Sequence, residues 1–437
     1  MTNCNTKTIH FSRYKSREIT ANFSGGDITS DGGVLLLREI DKELELTKKL
    51  SKLIPDKRNQ SYCDHSILQM LRQRIYGLAL GYEDVNDHDD LRKDVAMQTA
   101  VGNDKNLASK STLSRFENSI ERQTIVEMNK LLVEAFIDSY SNPPKELILD
   151  FDATDDKIYG NQEFRHYHGY YREYCYLPLH VFCGDKLLTS FLRPSNIDGA
   201  KYSWAILSLL VKRFRQEWPN VKITFRADCG FCRHKIFSWC ERNNVDYIVG
   251  LPGNNTLQAL SKNLREKVIE DYGRDKIKQR QFDEFYYSAG TWNKKRRTIV
   301  KAEYNSLGSN TRFIVTNLDG DAEQLYNDIY CARGNMENYI KQQQLELFSD
   351  RTSCPKWWAN QFRVMLSGFA YTLFTTMKEI CLQGTELAKA QCHTIRIKLL
   401  KIGSVVIRNT RRVKFLLSSS YPYQNLFCQI SKKLCPS

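Results

Sequence analysis

Two periodicities divide the chain. In its first third, apolar residues recur at helical spacing. Val34–Leu46 reads as an amphipathic helix, following the turn-rich stretches Ser24–Asp27 and Thr29–Gly33. Asp64–Leu80 reads as a stronger one, with Ile67, Leu68, Leu71, Ile75 and Leu78 on its apolar side. Ser109–Asn118 and Ile125–Tyr140 complete an all-helical region over about residues 25–140, after a polar lead-in over 1–20. Asn142-Pro143-Pro144 then reads as a linker. From Glu146 the pattern becomes strand-like. Glu146–Asp152 is a short β run that puts Ile148, Asp150 and Asp152 on one face. Tyr176–Cys183 and Lys186–Arg193 form a hairpin about Gly184-Asp185. A helix (Tyr202–Trp218), a strand ending in an acid (Val221–Asp228), a helix (His234–Asn243) and a strand (Tyr247–Leu251) follow. This order predicts a mixed α/β sheet with acids at strand ends.

Residues 256–271 read as helix. Gln281–Leu318 reads as a β insertion rich in aromatic and basic residues: Phe282, Phe285, Tyr286, Trp292, Lys294, Lys295, Arg296 and Arg297. Such a mixture suits base stacking and phosphate tracking, and equally a small β core with a solvated rim. Ile329–Leu345 reads as a helix whose start is set by Asp321 followed by Gln324. One of its faces carries Tyr330, Arg333, Glu337, Lys341 and Gln344. That face either meets a polar ligand or is a solvated surface laced with pairs such as Glu337–Lys341. A long helix to about Cys381 follows, and then strand-like stretches at Ser404–Ile407 and Arg412–Ser418.

Charge sharpens this picture. The 437 residues carry a formal charge of +14, from 64 Lys+Arg against 50 Asp+Glu. No acid follows Glu386, while ten basic residues do, among them Arg411, Arg412 and Lys414. A polyanion, nucleic acid first, is the partner this implies. A 41% apolar, 26% charged composition excludes a disordered chain. The odd count of 13 cysteines and the polar N-terminus point to a reducing cytoplasm. Met365–Met377 is too short and too interrupted for a membrane span.

Three acids come from two strand ends and a helix: Asp152, Asp228 and Glu337. Such a set can hold two Mg²⁺ or Mn²⁺ ions for work at a phosphodiester, with the basic regions gripping the DNA. Cys229-Gly230-Phe231-Cys232 offers a rival reading as a thiol-redox pair, or as two small cysteines buried under the Asp228 loop. The acidic cluster Asn86–Asp90 lacks the Gly and closing Glu of a calcium loop.

The order of these pieces resembles the ribonuclease-H-like DDE transposases of bacterial insertion sequences, in the group with a β insertion between the second Asp and the Glu. Asp152-Ala153-Thr154 matches that group's Asp-x-Thr, which favours Asp152 over Asp150. Tyr330, Arg333 and Glu337 match its Tyr-Arg-Glu-Lys signature, while Gln344 stands at the Lys position, with Lys341 one turn earlier. GGDITSDGG, GYEDVNDHDDLR and LASKSTLSRFEN extend the likeness over most of the chain. The resemblance implies a helical DNA-binding domain over 1–141 and a ribonuclease-H-like catalytic domain over 145–350, with its insertion at about 255–320. A basic region over 351–437 would follow, for DNA contacts or dimerisation. It implies cut-and-paste transposition through a hairpin intermediate, with Asp152, Asp228 and Glu337 as catalytic metal ligands. Tyr330 and Arg333 would hold the terminal phosphate and Trp292 would assist base flipping. A homodimer on terminal inverted repeats and target DNA, in a bacterial cytoplasm, is the implied assembly. A degenerate transposase acting as a repressor is the alternative that Gln344 leaves open.

Overall fold

The computed structural model describes residues 7–436. The chain forms two compact units. One comprises Ile125–Leu345 with Ser349–Gly368. The other comprises the chain up to Thr124 with Glu346–Phe348 and the residues from Phe369 onward.

The first unit is built on an eight-stranded mixed sheet. From edge to edge its strands are Gln279–Tyr287, Arg296–Asn305, Gly308–Thr316, Asp246–Leu251, Lys222–Ala227, Glu146–Ala153, Leu179–Cys183 and Lys186–Phe191. Glu146–Ala153 runs parallel to Lys222–Ala227, which runs parallel to Asp246–Leu251; the other pairings are antiparallel. Alternation sets the two faces of the central strand. Leu147, Leu149 and Phe151 point into a core shared with Phe225, Val249 and the helices Ser203–Glu217 and His234–Arg242. Asp150 and Asp152 therefore point to the opposite face, as their spacing predicts.

Register decides what the acids meet. Asp150 lies opposite Arg226 on the parallel neighbour. Their side chains form a buried two-pronged pair, Nε to Oδ1 at 2.5 Å and Nη2 to Oδ2 at 2.6 Å. The remaining Arg226 nitrogen, Nη1, donates to the Ile329 carbonyl at 2.6 Å. Phe151 lies opposite Ala227, so this pairing ends just before Asp152 and Asp228, which come close together; Asp152 itself stays paired with His180 on the other neighbour.

The region read as a β insertion is not a separate body. Its last strand, Gly308–Thr316, pairs with Asp246–Leu251, so the three strands extend the main sheet. Ile299, Val300, Phe313 and Ile314 are buried on both of its faces. A two-sided apolar ribbon is covered best by joining an open sheet edge that also takes its unpaired backbone groups.

In the second unit, Ile67–Leu80 starts from a capping box between Ser66 and Gln69. Its Arg74 makes a buried pair with Glu117 at 2.8 Å. The stretch read as a polar lead-in contains an exposed hairpin, Ile9–Tyr14 with Arg17–Ala21; its polar alternation suits strands with no buried face. Ser404–Arg408 pairs with both Val413–Leu417 and Ile28–Thr29, which joins the two ends of the chain. Among the described residues no helix is long and apolar enough to cross a membrane.

Removing Arg226 leaves Asp150 buried without its countercharge. Arg226→Ala is expected to destabilise the chain by about 3–5 kcal/mol, read as a lower denaturation midpoint. A loss below about 1 kcal/mol, the range of a surface pair, would show the pair to be dispensable.

Candidate active site

The helical run after Asp321 begins as the sequence predicts, with the Asp321 carboxylate accepting from the Gln324 amide at 2.9 Å. It is not a plain α-helix. Leu325–Tyr330 and Gln342–Glu346 are wide π turns, Cys331–Arg333 is a tight 3₁₀ turn, and Gly334–Lys341 is α-helical. Each π turn holds a buried adjacent pair, Leu325 with Tyr326 and Gln342 with Gln343.

Three residues of the expected face converge on the strand ends. Arg333 lies between two acids, with Nη2 at 2.8 Å from Glu337 Oε1 and Nη1 at 3.5 Å from Asp152 Oδ2. The Tyr330 hydroxyl lies over Gly250 beside the Asp228 loop. A Cβ on Gly250 would stand 2.6 Å from that hydroxyl and 2.7 Å from the Cys229 amide, so only glycine admits this approach. Asp228 Oδ1 accepts from the Gly230 amide at 2.9 Å, which fixes the turn after the strand. Burial pushes the Asp152 carboxyl up to about 7; the nearby charge of Asp228 and, less, that of Glu337 add to the rise, while Arg333 opposes it. Among the described residues no three His, Cys, Asp or Glu side chains are gathered closely enough to hold a metal ion. Asp150 is taken up by Arg226.

The other expected residues divide. Lys341 is exposed. Gln344 turns inward and donates to the Asp155 carbonyl and to Asp156 Oδ1, both at 2.9 Å. Trp292 packs edge-on against Phe237 and Tyr287. Arg296 is 3% exposed, held by both oxygens of Glu241 and lying over the Trp292 ring. Arg297 bonds Glu284 and the carbonyls of Leu318 and Gly320, and Lys294 pairs with Glu241. Arg296 and Arg297 sit on a strand of the main sheet, and Trp292 and Lys294 in the turn before it; of the basic run only Lys295 stays exposed without an ion pair among the described residues. In the tail, Arg411, Arg412 and Lys414 are exposed on a hairpin whose turn is fixed by Asn409. Arg396, by contrast, is buried on the carbonyls of Leu78 and Ala79, and Lys401 pairs with Asp31. Cys229 is exposed, contrary to the buried packing expected, and Cys232 is half-buried. Burial pushes the Cys232 thiol up to about 12, the opposite of what a redox thiol needs.

Arg226 and Gly250 escaped the sequence reading. The signal for Arg226 was present: a lone charge inside an apolar strand, at the height of Asp150. The need for Gly250 comes from a residue eighty positions later and has no local signal.

Asp156 is fully enclosed, and burial pushes its carboxyl up to about 8 despite the Gln344 hydrogen bond. Folded, it keeps its proton to higher pH than an unfolded Asp, whose value is about 3.9. The folded chain thus binds more protons between about pH 4 and 8, and this group's contribution to stability falls as pH rises through that window. Asp156→Asn is expected to remove that part of the slope, so that its stability relative to the parent chain rises from pH 4 to pH 8 in urea titrations. Parallel curves would refute the assignment.

The family model described as transposase DDE domain group 1 matches residues 11–437. No curated protein matches the sequence. Among solved structures, the cryo-EM structure of the piggyBac transposase synaptic complex with hairpin DNA is similar with a TM-score of 0.44 and 11% identity. That match covers 85% of this chain and 80% of that one. With nearly its whole length matched, and two strand-end aspartates set beside a helix glutamate, the chain belongs to the transposase DDE domain group 1 family.

Proposed function

We propose that this chain is a metal-dependent DNA transposase that cuts the ends of its own mobile element and joins them to target DNA. The observation that carries the reading is the convergence at one sheet end: Asp152 and Asp228 side by side, with Glu337 linked to Asp152 through Arg333. The order of the hairpin Leu179–Phe191, the central strand and the two parallel strands beyond it supports reading this sheet as ribonuclease-H-like. That fold brings acids from distant segments to one place.

Asp152, Asp228 and Glu337 are the proposed metal ligands. The donor set fits in kind, because three carboxylates offer only oxygen, the ligand type hard divalent cations take; Arg333, which now bridges Asp152 and Glu337, would have to give up those oxygens to a cation. When bound, Mg²⁺ or Mn²⁺, two per site, would activate the attacking oxygen and neutralise the leaving one. Arg333 and the Tyr330 hydroxyl stand at the rim of the carboxylates, suited to orient a terminal phosphate. Hydrolysis at the element end, hairpin formation by the freed 3′-hydroxyl and joining to target DNA are the proposed steps, carried out by a dimer on paired ends.

The basic hairpin with Arg411, Arg412 and Lys414 is a proposed duplex grip. So is a cavity of about 610 Å³ in the helical unit, lined by Arg58, Arg92, Arg115, Ser109 and Thr112. The last three of these residues include two from the helix Lys110–Asn118, whose sequence suits phosphate contacts. Gln344 is engaged with the loop after Asp152, so the departure from the signature Lys has a structural use here. A non-cleaving repressor is the competing reading.

Mg²⁺- or Mn²⁺-dependent cleavage of the DNA flanking this protein's own gene decides between them. Asp152→Asn, Asp228→Asn and Glu337→Gln are each expected to lose cleavage and keep DNA binding. Retained cleavage in any of them would overturn that ligand assignment, and metal-independent binding without cleavage in the parent chain would favour the repressor. Removing the charges of Arg411, Arg412 and Lys414 is expected to flatten the log–log salt dependence of DNA binding by about 0.9 for each phosphate left unneutralised. An unchanged slope would exclude this hairpin as the grip.

A further inference from the structure

Between the strand that ends at Asp152 and the hairpin Leu179–Phe191, the chain builds a second small sheet. Its strands, in order, are Asp156–Lys157, Glu173–Tyr176 and His166–His168. The sequence from Tyr159 to Tyr176 holds seven aromatic residues. One end of the sheet, around Tyr176, is anchored. Tyr176 is fully buried, edge-on to Trp357 at 5.1 Å, and its hydroxyl donates to the Glu163 carbonyl at 2.7 Å. The Glu163 carboxylate is engaged by the Trp357 amide at 2.8 Å, and Cys175 and Ile158 are buried.

The other end, toward the hairpin tip, is different in kind. Tyr167 and Tyr174 face each other across the register, 5.7 Å apart and edge to face. The Arg165 guanidinium lies 5.0 Å over the Tyr174 ring. Tyr170, at the hairpin tip, is 84% exposed and meets the edge of Tyr171. Tyr159 and Phe164 are exposed as well, with Lys157 over the Tyr159 ring. Arg172 is exposed; of the nearby acids Glu173 is paired with Lys157 at 2.9 Å, Glu163 accepts from the Trp357 amide, and Asp155 lies against Glu173. Contiguous exposed rings on a rigid support call for a partner. Interleaved cations require that partner to be anionic, and flat exposed rings favour one that carries π faces of its own. Duplex DNA keeps its bases stacked inside; unpaired DNA offers both phosphates and free base faces. The sheet is also continuous with the carboxylate site. It begins four residues after Asp152, and Tyr171 is close enough for the charges of Asp155 and Asp152 to help burial raise its phenol.

We propose that this tyrosine-rich sheet is a stacking platform for unpaired bases of a DNA strand end beside Asp152. The strand-end part rests on the transposase reading; the preference for unpaired DNA does not.

The test is binding of fluorescein-labelled oligothymidylate and of a labelled duplex to the full chain in EDTA, where no cleavage occurs. The parent chain is expected to bind both. Changing Tyr167, Tyr170 and Tyr174 together to Ala is expected to weaken oligothymidylate binding by about tenfold or more while leaving duplex binding unchanged. The corresponding triple Phe variant keeps the ring faces and is expected to bind as the parent does. Tyr170→Ala alone, at an exposed tip with little part in the fold, keeps the test decisive should the triple Ala variant not fold, with a smaller loss expected. Unchanged oligothymidylate affinity in the Ala variants, or none in the parent chain, would overturn the proposal. So would a loss of self-association on sedimentation with DNA binding intact, which would make this face an interface between copies. Selective loss of oligothymidylate binding in a chain that never cleaves DNA would uphold the platform and count against the transposase chemistry alone.

Discussion

The three-way contact of Arg226 with Asp150 and the Ile329 carbonyl holds the candidate site in place. Two prongs of the guanidinium lock the heights of adjacent parallel strands, so that Asp152 and Asp228 emerge together. The third reaches the helical run one residue before Tyr330, and so sets where Tyr330, Arg333 and Glu337 arrive. A charge buried this deeply is tolerated only when paired and fully hydrogen-bonded, which makes the geometry stiff. The same arginine explains why two aspartates two residues apart have different surroundings. One closes the scaffold, and the other stands at the open end of the sheet.

The site beyond that node is electrostatically tense. Asp152 is enclosed with two further carboxylates in range, and Arg333 is the positive charge that offsets them. Irregular turns flank Gly334–Lys341, and their wider and tighter windings shift the polar face from the line a regular helix would give it. Elsewhere, much of the positive charge is structural. Arg296 and Arg396 are buried on carboxylate or carbonyl oxygens, and Arg297 is tied to its own sheet. Arg411, Arg412 and Lys414, by contrast, are exposed on their hairpin.

Much of this was written locally in the chain. Periodicity gave the helices Val34–Leu44 and Ile67–Leu80 and the strands around Glu146, Lys222 and Asp246 to within a few residues, because each has one face to bury. The start of the last site helix was legible from Asp321, because a cap acts over only three residues. The spacing of Tyr330, Arg333 and Glu337 was legible as one polar face.

Other features depended on contacts between distant segments, and only the tertiary structure decided them. The aromatic and basic strands around Trp292 could have formed a free-standing insertion or an extension of the sheet. Pairing between Gly308–Thr316 and Asp246–Leu251 chose the second, with Trp292 packed against Phe237 and Arg296 held by Glu241. Gln344 could have faced a ligand, but the loop after Asp152 supplied two acceptors for its amide. Gly250 is required by the Tyr330 hydroxyl, and Asp150 is taken by Arg226, across gaps of about eighty residues that no local pattern spans. Residue types and their periods determined which elements form and which acids stand at their ends. Strand register and sheet edges determined which of those side chains meet, because such contacts are fixed by long-range hydrogen bonding and not by neighbours in sequence.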